Sequence, residues 1–345
     1  MRNKAVVIGY FGFKTNQIDG QTIKTRNVYQ LLNTVYDVEF FDTESLKSNK
    51  VAALTLLWLT IKHKNVFYLG AHNNLRYFFP LLYLISKARR GKIVYVTVGG
   101  WLYDFLKTSH SFYTYMIKSI HSVLVETEFL KLNLRELGIV KTELIPNFRL
   151  TPAIKTITGD RKDNIFRIVF MARIVKEKGV FLLLDFFEAY LKNTDAFNKH
   201  ITLDFYGPVS DKDAKSFYER VSHFDLDVNY KGVLDPSDIY KTLPDYDLLV
   251  LPTFYEGEGF PGTILDAYLC GLPVIATRWK QIPEFVEDNE TGFLIDYDVK
   301  QLSVKIQKLA NDDRLLSVMK NNAQQKSKKY SAETALQILK KAMGF

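Results

Sequence analysis

The segment from residue 247 to residue 284 constrains the fold more than any other part of the chain. Asp247–Pro252 is apolar and ends at a proline, a pattern typical of a buried strand. A loop with three glycines follows, and then an apolar run from Thr263 to Cys270 that Gly271 closes, which predicts a helix. Pro273–Thr277 predicts the next strand. This succession is typical of a parallel α/β sheet.

The loop between the first strand and the helix has the sequence EGEGFPG, residues 256–262. Glycines that lead into a helix N-terminus allow unpaired backbone N–H groups to approach an anion closely. Two carboxylates lie in the same loop, so the expected ligand carries hydroxyl groups as well as phosphate. A sugar nucleotide meets both requirements.

The acids of this segment, with AYLCGLPVIAT after them, resemble the donor-site signature of retaining glycosyltransferases of family four, which have the GT-B fold. The family motif is a Glu, seven residues and a second Glu. Glu258 and Asp266 hold the two places here, so the second acid is one methylene shorter. The resemblance implies that Glu258 faces the hydroxyls of the donor sugar and that Asp266 faces the ribose hydroxyls. It also implies that the donor contacts the residues Gly259, Phe260, Pro261 and Gly262.

The segment FMARIVKEKG, residues 170–179, resembles a second motif of the same family. There an Arg and a Lys, here Arg173 and Lys178, reach the pyrophosphate of the donor. A departing nucleoside diphosphate gains negative charge, and fixed cations stabilise it without a metal. The resemblance therefore implies three catalytic residues, which are Glu258, Arg173 and Lys178. It implies further backbone contacts with the donor at Gly207, Gly232 and Val233.

Other interpretations of the central loop stay open. Thr263-x-x-Asp266 has the form of a capping box, which would explain the acid without a ligand. Residues 257–262 match the dinucleotide fingerprint G-x-G-x-x-G, and Arg278 follows the next strand, so an NADP-dependent oxidoreductase is one alternative. The others are a GT-B sugar-nucleotide epimerase or phosphorylase and a non-catalytic glycosyltransferase subunit.

Length and cysteine content bound the class of protein. With 345 residues the chain is long enough for two domains. Its N-terminus leads directly into a predicted strand without the layout of a signal peptide. A single cysteine, Cys270, excludes an internal disulfide and suits a reducing compartment, so we expect a cytoplasmic protein. We expect this cysteine to pack rather than to act as a nucleophile.

Charge is distributed unevenly along the chain. Residues 1–150 contain 20 Lys+Arg and 10 Asp+Glu, a net charge of +10. Residues 151–345 contain the other 26 Lys+Arg and 28 Asp+Glu, a net charge of −2. A basic half next to a near-neutral half indicates that the first half meets an anionic partner. The hypotheses are a lipid-linked pyrophosphate acceptor, a membrane surface and nucleic acid. Nucleic acid is disfavoured because no recognition motif for it is present.

The first half opens with a strand at Ala5–Gly9, a helix at residues 22–34 and a strand at Val38–Phe41, which together predict a βαβ unit. DGQT, residues 19–22, stands where family members carry a glycine pair that admits the acceptor. A helix start capped by Asp or Thr is the alternative. The expected acceptor-side residues are Gly12, Asp19, Gly20, Gln21, Thr22, His72, Gly99 and Gly100.

The segment LRYFFPLLYLISKARRGK, residues 75–92, predicts one apolar helix with a basic end. Such a helix packs on a core, and its terminal cations suit the helix dipole. An apolar helix with a basic end also suits an anionic membrane surface. Peripheral contact with the inner face of the plasma membrane is therefore a hypothesis.

The expected fold class is α/β of the GT-B type, with two Rossmann-like doubly wound domains facing across a cleft. The expected boundaries are 1–150 for an acceptor-binding domain, 151–164 for a linker, 165–328 for a nucleotide-sugar-binding domain and 329–345 for a helix that returns to the first domain. The resemblance implies a retaining transferase that uses a UDP- or GDP-sugar and needs no metal or other cofactor. We expect the acceptor to be a glycan or a lipid-linked glycan of cell-surface polysaccharide synthesis.

Overall fold

The computed structural model describes residues 4–17, 19–47, 51–150, 154 and 163–344. Most of the expected linker, residues 151–153 and 155–162, lies outside the described residues. The chain divides into two compact units. Unit 1 comprises Met1–Thr151 and Tyr330–Phe345, and unit 2 comprises Pro152–Lys329.

Unit 1 alternates strands and helices. Its elements up to residue 144 are β1 (Lys4–Gly9), α1 (Gly20–Asn33), β2 (Asp37–Asp42), α2 (Ala52–Lys62), β3 (Asn65–Leu69), α3 (His72–Tyr77), α4 (Phe79–Ala88), β4 (Lys92–Val96), α5 (Leu102–Thr108), α6 (Ser111–Ser119), β5 (Ser122–Val125), α7 (Glu128–Glu136) and β6 (Thr142–Leu144). The six strands form one parallel sheet in the order β2-β1-β3-β4-β5-β6.

Unit 2 repeats the alternation. The remaining elements are β7 (Ile165–Met171), α8 (Val180–Leu191), β8 (His200–Tyr206), α9 (Asp211–Val221), β9 (Val228–Tyr230), α10 (Ile239–Thr242), β10 (Leu248–Leu251), α11 (Gly262–Leu269), β11 (Val274–Thr277), β12 (Gly292–Ile295), α12 (Val299–Asn311), α13 (Asp313–Ser327) and α14 (Ala332–Met343). The strands form a second parallel sheet in the order β12-β11-β10-β7-β8-β9. The expectation of two Rossmann-like doubly wound sheets is confirmed.

Both faces of the first sheet are covered by helices. One face packs on α2, α4, α5, α6 and α7 through residues such as Leu56, Leu82 and Met116. The opposite face packs on α1 and on α14, which contributes Leu339 and Met343. The C-terminal helix therefore belongs to the core of unit 1 although it follows unit 2 in the chain.

The single helix expected over residues 75–92 is wrong, because the structure has α3 and α4 there with a break at Phe78. Pro80 lies in the first turn of α4. A proline has no N–H to donate and its ring clashes with the preceding turn, so it starts a helix more readily than it continues one.

A buried ion pair lies at the carboxyl edge of the first sheet. Lys24 of α1 donates to Glu126, which follows β5, with 2.5 Å between Nζ and Oε1. Both side chains are almost completely buried. Burial lowers the pKa of Lys24, while the charge of Glu126 acts in the opposite direction. The second oxygen of Glu126 accepts from the backbone N–H of Gly99 at 3.2 Å, so the pair also holds the loop after β4.

The variant Lys24→Met should destabilise unit 1 by about 3–5 kcal/mol, because it leaves the Glu126 carboxylate buried without its cation. Urea unfolding followed by the fluorescence of Trp58 and Trp101, in a Trp279→Phe background, measures unit 1 alone. The double variant Lys24→Met, Glu126→Gln should recover most of the loss because no lone charge remains. A change within about 0.5 kcal/mol for Lys24→Met would show that the pair does not hold the fold.

Candidate functional site

The best-positioned candidate site lies at the carboxyl edge of the sheet in unit 2, where β7 and β10 are neighbours. The chain runs outward from β7 through β8 and β9 on one side, and from β10 through β11 and β12 on the other. In a doubly wound sheet this reversal opens a crevice that commonly binds a ligand. The loops above it are residues 172–179 and 252–261.

These two loops are fixed against each other by backbone contacts. The carbonyl oxygen of Glu177 accepts from the N–H of Phe254 at 2.8 Å and from the hydroxyl of Thr253 at 3.3 Å. Gly179 has a φ of +84°, and a Cβ at this position would lie 2.1 Å from the carbonyl oxygen of Pro252. Only glycine permits this approach, which places Lys178 beside the loop after β10.

Lys178 and Glu258 form a salt bridge at the centre of the site. The Lys178 ammonium donates to both carboxylate oxygens of Glu258, at 2.9 Å and 2.6 Å. The Thr253 hydroxyl donates to one of them at 2.8 Å. Glu258 is buried and Lys178 is nearly so. The expected sugar-facing acid and the expected phosphate-facing cation are therefore direct partners.

The ring of Tyr255 contacts both of the expected cations. The Arg173 guanidinium carbon lies 5.5 Å from its ring centroid and the Lys178 ammonium lies 5.0 Å from it. Both distances are within the range of a cation–π interaction. The backbone oxygen of Tyr255 accepts from the indole N–H of Trp279 at 2.9 Å, which fixes the loop. Arg173 is exposed, so its donors are available to a ligand.

The N-terminus of α11 is not capped by a side chain. Pro261 occupies the capping position and provides no hydrogen bond from its side chain. The Thr263 hydroxyl oxygen is buried and has no hydrogen-bond partner among the described residues. Because Thr263 lies inside the helix, the capping-box interpretation is wrong. Asp266, which is buried, instead accepts from the Tyr240 hydroxyl at 2.6 Å.

Two side chains of this segment are withdrawn from solvent: Phe260 is buried and Cys270 is half-buried. The Phe260 ring is stacked on the Phe285 ring, with 3.8 Å between their centroids, so only its backbone faces the loop. Burial, together with the charge of Asp266, raises the pKa of Cys270 to about 12. A thiol with so high a pKa is a poor nucleophile, which agrees with the expected packing role.

The other expected donor-side positions lie at the ends of β8 and β9. Gly207 has a φ of +139°, and a Cβ there would lie 1.8 Å from the carbonyl oxygen of Ala172, so packing alone requires glycine. Its N–H donates to the carbonyl oxygen of Gly232 at 2.9 Å. A Cβ on Gly232 would meet no atom within 4 Å, and Val233 is exposed. The Gly232–Val233 backbone is therefore accessible.

In unit 1, Gly12 lies in a loop that the charged side chains of Asp42 and Arg26 hold. Asp42 accepts from the N–H groups of Phe11 and Phe13, at 3.0 Å and 3.2 Å. The Arg26 guanidinium donates to the carbonyl oxygens of Phe11 and Gly12, at 2.8 Å and 3.0 Å. The side chains that hold this loop are far apart in the sequence. The loop precedes α1.

The segment 19–22 begins α1. Asp19 accepts from the N–H of Thr22 at 2.9 Å, and its own N–H donates to the Thr22 hydroxyl at 2.9 Å. The alternative of a capped helix start is thus present, and α1 begins two residues earlier than predicted. A Cβ on Gly20 would meet no atom within 4 Å, and the Gln21 side-chain nitrogen is buried without a partner among the described residues.

His72 lies next to the loop that carries Gly99 and Gly100. Its ring is 5.7 Å from the Trp101 ring and 4.7 Å from the Phe105 ring, both edge to face. The ends of β1, β3 and β4 thereby bring Gly12, His72 and the Gly99–Gly100 pair to the same edge of the sheet.

The described residues contain neither a candidate metal site nor a candidate membrane-spanning helix. No group of three or more His, Cys, Asp or Glu side chains there could hold a metal ion. In the same part of the chain, no helix has both the length and the apolar character needed to cross a bilayer.

Residues 156–326 match the model of the family described as glycosyl transferases group 1. Over these 171 residues, just under half of the chain, the protein is similar to that family. The matched segment lies within unit 2 and contains both loops of the site described above.

Curated relatives are similar over part of their length. The capsular polysaccharide biosynthesis glycosyltransferase CapM of Staphylococcus aureus is 28% identical over 172 residues, which is 49% of this chain and 43% of CapM. The O-antigen chain mannosyltransferase B of Escherichia coli is 31% identical over 107 residues, 31% of this chain and 27% of that protein. The chain therefore spans less than half the length of these relatives.

Solved structures show the same fold. Anabaena Alr3699/HepE in complex with UDP and glucose superimposes with a TM-score of 0.72 at 16% identity, covering 99% of each chain. TarM superimposes with a TM-score of 0.67 at 23% identity, covering 86% of this chain and 59% of TarM. These likenesses confirm the expected GT-B fold class.

Several residues of the site were not expected from the sequence. Thr253, Tyr240 and Tyr255 contact the expected residues but belong to no motif, and neither do Lys24 and Glu126 in unit 1. The only sequence signal for Glu126 is that a charged residue directly follows a buried strand. Such a position lies at the edge of a parallel sheet where ligands commonly bind.

Proposed function

We propose that this protein is a retaining glycosyltransferase that transfers a sugar from a nucleoside-diphosphate sugar to an acceptor hydroxyl. The observation that carries the proposal is the convergence of Arg173 and Lys178 on Tyr255, beside Glu258 and the uncapped start of α11. This combination provides cations and free N–H groups for a diphosphate, and a carboxylate for a sugar.

The donor diphosphate would lie between the β7 loop and the start of α11. Arg173 would grip phosphate oxygens with two parallel hydrogen bonds, and Lys178 would act as a point charge. The backbone N–H groups of Gly262 and Thr263 would complete the phosphate site, together with the Thr263 hydroxyl, which has no partner among the described residues. The Gly232–Val233 backbone would receive the base. HepE, solved with UDP and glucose, supports a UDP-sugar over a GDP-sugar as the first donor to test.

The bound donor would open the Lys178–Glu258 salt bridge. Lys178 would then bind the phosphates, and Glu258 would bind the hydroxyls of the sugar. Asp266, which accepts from the Tyr240 hydroxyl at 2.6 Å, would contact the ribose hydroxyls. The salt bridge thus keeps both charges paired before the donor binds, which limits the cost of burying them.

In the proposed reaction the acceptor hydroxyl attacks the anomeric carbon from the face that the leaving phosphate vacates. The C1–O bond to the phosphate breaks as the new glycosidic bond forms, and the leaving phosphate oxygen takes the hydroxyl proton. Arg173 and Lys178 stabilise the charge that develops on the diphosphate, and Glu258 favours the positive charge on the sugar. No side chain becomes covalently attached, and no metal or other cofactor takes part.

The position of the glycine fingerprint argues against a dinucleotide enzyme. In dinucleotide-binding folds the fingerprint follows the first strand of the unit. Residues 257–262 follow β10, which is the fourth strand of unit 2, and the turn after the first strand β7 carries Arg173–Gly179 instead. An epimerase and a non-catalytic subunit remain as alternatives that product analysis distinguishes.

We propose that the acceptor is a glycan or a lipid-linked glycan of cell-surface polysaccharide synthesis, bound at the carboxyl edge of unit 1 by Gly12, Gly20–Thr22, His72 and Gly99–Gly100. The names of CapM and of a Campylobacter jejuni transferase that acts on a diphospho-undecaprenol acceptor support this class. A lipid-linked acceptor and the net charge of +10 on residues 1–150 also support a cytoplasmic enzyme at the inner face of the plasma membrane.

Calorimetric titration with UDP, GDP, ADP and NADPH, without added metal, tests the donor site. One nucleoside diphosphate should bind, and Arg173→Ala should weaken it roughly tenfold to hundredfold, because a hydrogen bond to a charged group contributes about 1.5–3 kcal/mol. The matched control is Arg314→Ala, an exposed arginine of α13 that should leave the affinity unchanged. NADPH binding without any diphosphate preference would replace the transferase with a dinucleotide enzyme.

Product analysis tests the reaction class. With sugar nucleotides of the nucleoside diphosphate that binds, and a panel of aryl glycoside acceptors, the anomeric proton coupling of the product should show the same configuration as the donor. An inverted product would contradict the retaining mechanism. Donor binding without any product would identify a non-catalytic subunit, and an altered sugar nucleotide would identify an epimerase.

A further inference from the structure

Helix α2 is apolar on two opposite faces. Ala52, Leu56 and Leu59 are buried against the sheet. On the other side, Leu54, Trp58 and Ile61 are 65%, 55% and 51% exposed, at the spacing of one helix stripe. A helix that is apolar all round belongs in an interior or against lipid rather than against water. The outer stripe therefore indicates a covering partner.

The apolar surface continues from α2 onto its neighbours. Helix α2 packs against α4, and α4 packs against α6. Leu81 and Leu84 of α4 are also exposed, as is Tyr115 of α6. We define the apolar stripe as Leu54, Trp58, Ile61, Leu81, Leu84 and Tyr115. Exposed apolar side chains on neighbouring helices commonly mark an interaction site.

Cations collect where these helices end. Because α2, α4 and α6 precede the parallel strands β3, β4 and β5, their C-termini all lie at the amino edge of the first sheet, opposite the edge that carries the proposed acceptor site. Burial and the nearby charges of Lys92 and Lys141 lower the pKa of His121 at this edge. The basic residues in this region are Lys62, Lys64, Lys87, Arg89, Arg90, Lys92, Lys118 and Lys141.

A pocket of about 230 Å³ opens at this basic edge between α4 and α6. Its volume is below the roughly 300–1,000 Å³ of pockets for drug-sized ligands, so it suits a small group. No acidic residue lines it. The polar residues that line it are Tyr83, Ser86, Lys87, Arg90, Ser119 and His121.

The donors of the pocket are already oriented toward one another. The Ser119 hydroxyl donates to the Tyr83 hydroxyl at 2.8 Å, and the Lys87 ammonium donates to it at 3.1 Å. The Lys87 ammonium also lies 3.3 Å from the hydroxyl of Tyr115, which belongs to the apolar stripe. One cation thus joins the pocket to the stripe. Converging hydroxyls and cations without a carboxylate are the chemistry that binds phosphate.

We propose that this pocket binds the phosphate of an anionic phospholipid headgroup while the apolar stripe rests on the bilayer. A lipid is favoured over free phosphate because Leu84 lies one helical turn from Lys87. The acyl-chain region of a bilayer would contact Leu84 while a headgroup of the same bilayer contacts Lys87. This inference rests on the proposed function at the membrane and assigns its contact surface. It places the surface on α2, α4 and α6 of unit 1.

Co-sedimentation with vesicles tests the proposal. The protein should bind vesicles of phosphatidylcholine and phosphatidylglycerol in equal amounts and should not bind phosphatidylcholine alone. Lys87→Gln with Arg90→Gln should weaken binding roughly thirtyfold, the equivalent of about 1 kcal/mol for each cation near an anionic surface. The charge-matched control is Lys215→Gln with Lys300→Gln, two exposed lysines of unit 2, which should change the affinity less than twofold.

A second variant separates the pocket from diffuse charge attraction. Ser119→Trp fills the pocket without changing the net charge, so it should weaken vesicle binding at least tenfold. Trp58→Ser should also weaken it, because it removes the largest side chain of the stripe. Circular dichroism melting of each variant controls for folding. If Ser119→Trp binds as tightly as the unchanged protein, or if the two double variants lose affinity equally, the headgroup pocket is wrong.

Two further outcomes decide the ligand and its link to catalysis. Calorimetry measures whether inorganic phosphate binds to the pocket. The lipid assignment would be overturned if phosphate binds, if Lys87→Gln with Arg90→Gln abolishes that binding, and if the protein does not bind vesicles. Nucleoside-diphosphate binding should be the same in all pocket variants. Loss of vesicle binding with unchanged diphosphate binding supports the pocket, whereas a protein that binds vesicles but no diphosphate contradicts only the proposed transferase.

Discussion

The turn after β7 lies against the end of β10 because Gly179 has no side chain. A Cβ there would lie 2.1 Å from the Pro252 carbonyl oxygen, so any other residue would push the two loops apart. The contact between the two loops sets the distance between Lys178, which follows β7, and Glu258, which follows β10. It also carries Tyr255 to a position where Arg173 and Lys178 both reach its ring. The charges of the candidate site are therefore arranged by a backbone contact.

Each unit places charge at the carboxyl edge of its sheet in its own way. In unit 2 the charges form an almost buried salt bridge, Lys178–Glu258, which the proposed donor would open. In unit 1 Lys24 and Glu126 are buried more deeply, and Glu126 also holds the N–H of Gly99. The first pair faces the proposed ligand, whereas the second stabilises the loop on which the proposed acceptor would rest. The same topology thus places one ion pair at the proposed donor site and another at the loop of the proposed acceptor site.

The sequence was sufficient where the signal is local. Residues 247–277 predicted strand, loop, helix and strand, and the structure has them within one or two residues. The alternation of strands and helices predicted both sheets. The break at Phe78 was missed although Pro80 is visible in the sequence, because the apolar run around it suggested one helix. The capping box was wrong because Thr263 is the second residue of α11, and Pro261 rather than Thr263 occupies the N-cap position.

Contacts between distant positions could not be predicted. Lys178 and Glu258 are 80 residues apart, and Lys24 and Glu126 are 102 apart. Motifs indicated that Lys178 and Glu258 serve one ligand but not that they are partners without it. Tyr240 and Tyr255 carry no motif, and only the fold brings them to Asp266 and Arg173. The apolar outer stripe of α2 was equally hidden, since a sequence does not show which apolar face is covered.

Hydrogen exchange of the protein with and without a saturating nucleoside diphosphate tests the central claim most directly. The claim is that a donor lies where β7 and β10 meet. The amides of residues 173–179 and of residues 257–264 should then exchange more slowly when UDP or GDP is bound, while those around β12 should not change. Protection confined to unit 1, or found in unit 2 only outside these two loops, would contradict the proposed donor site.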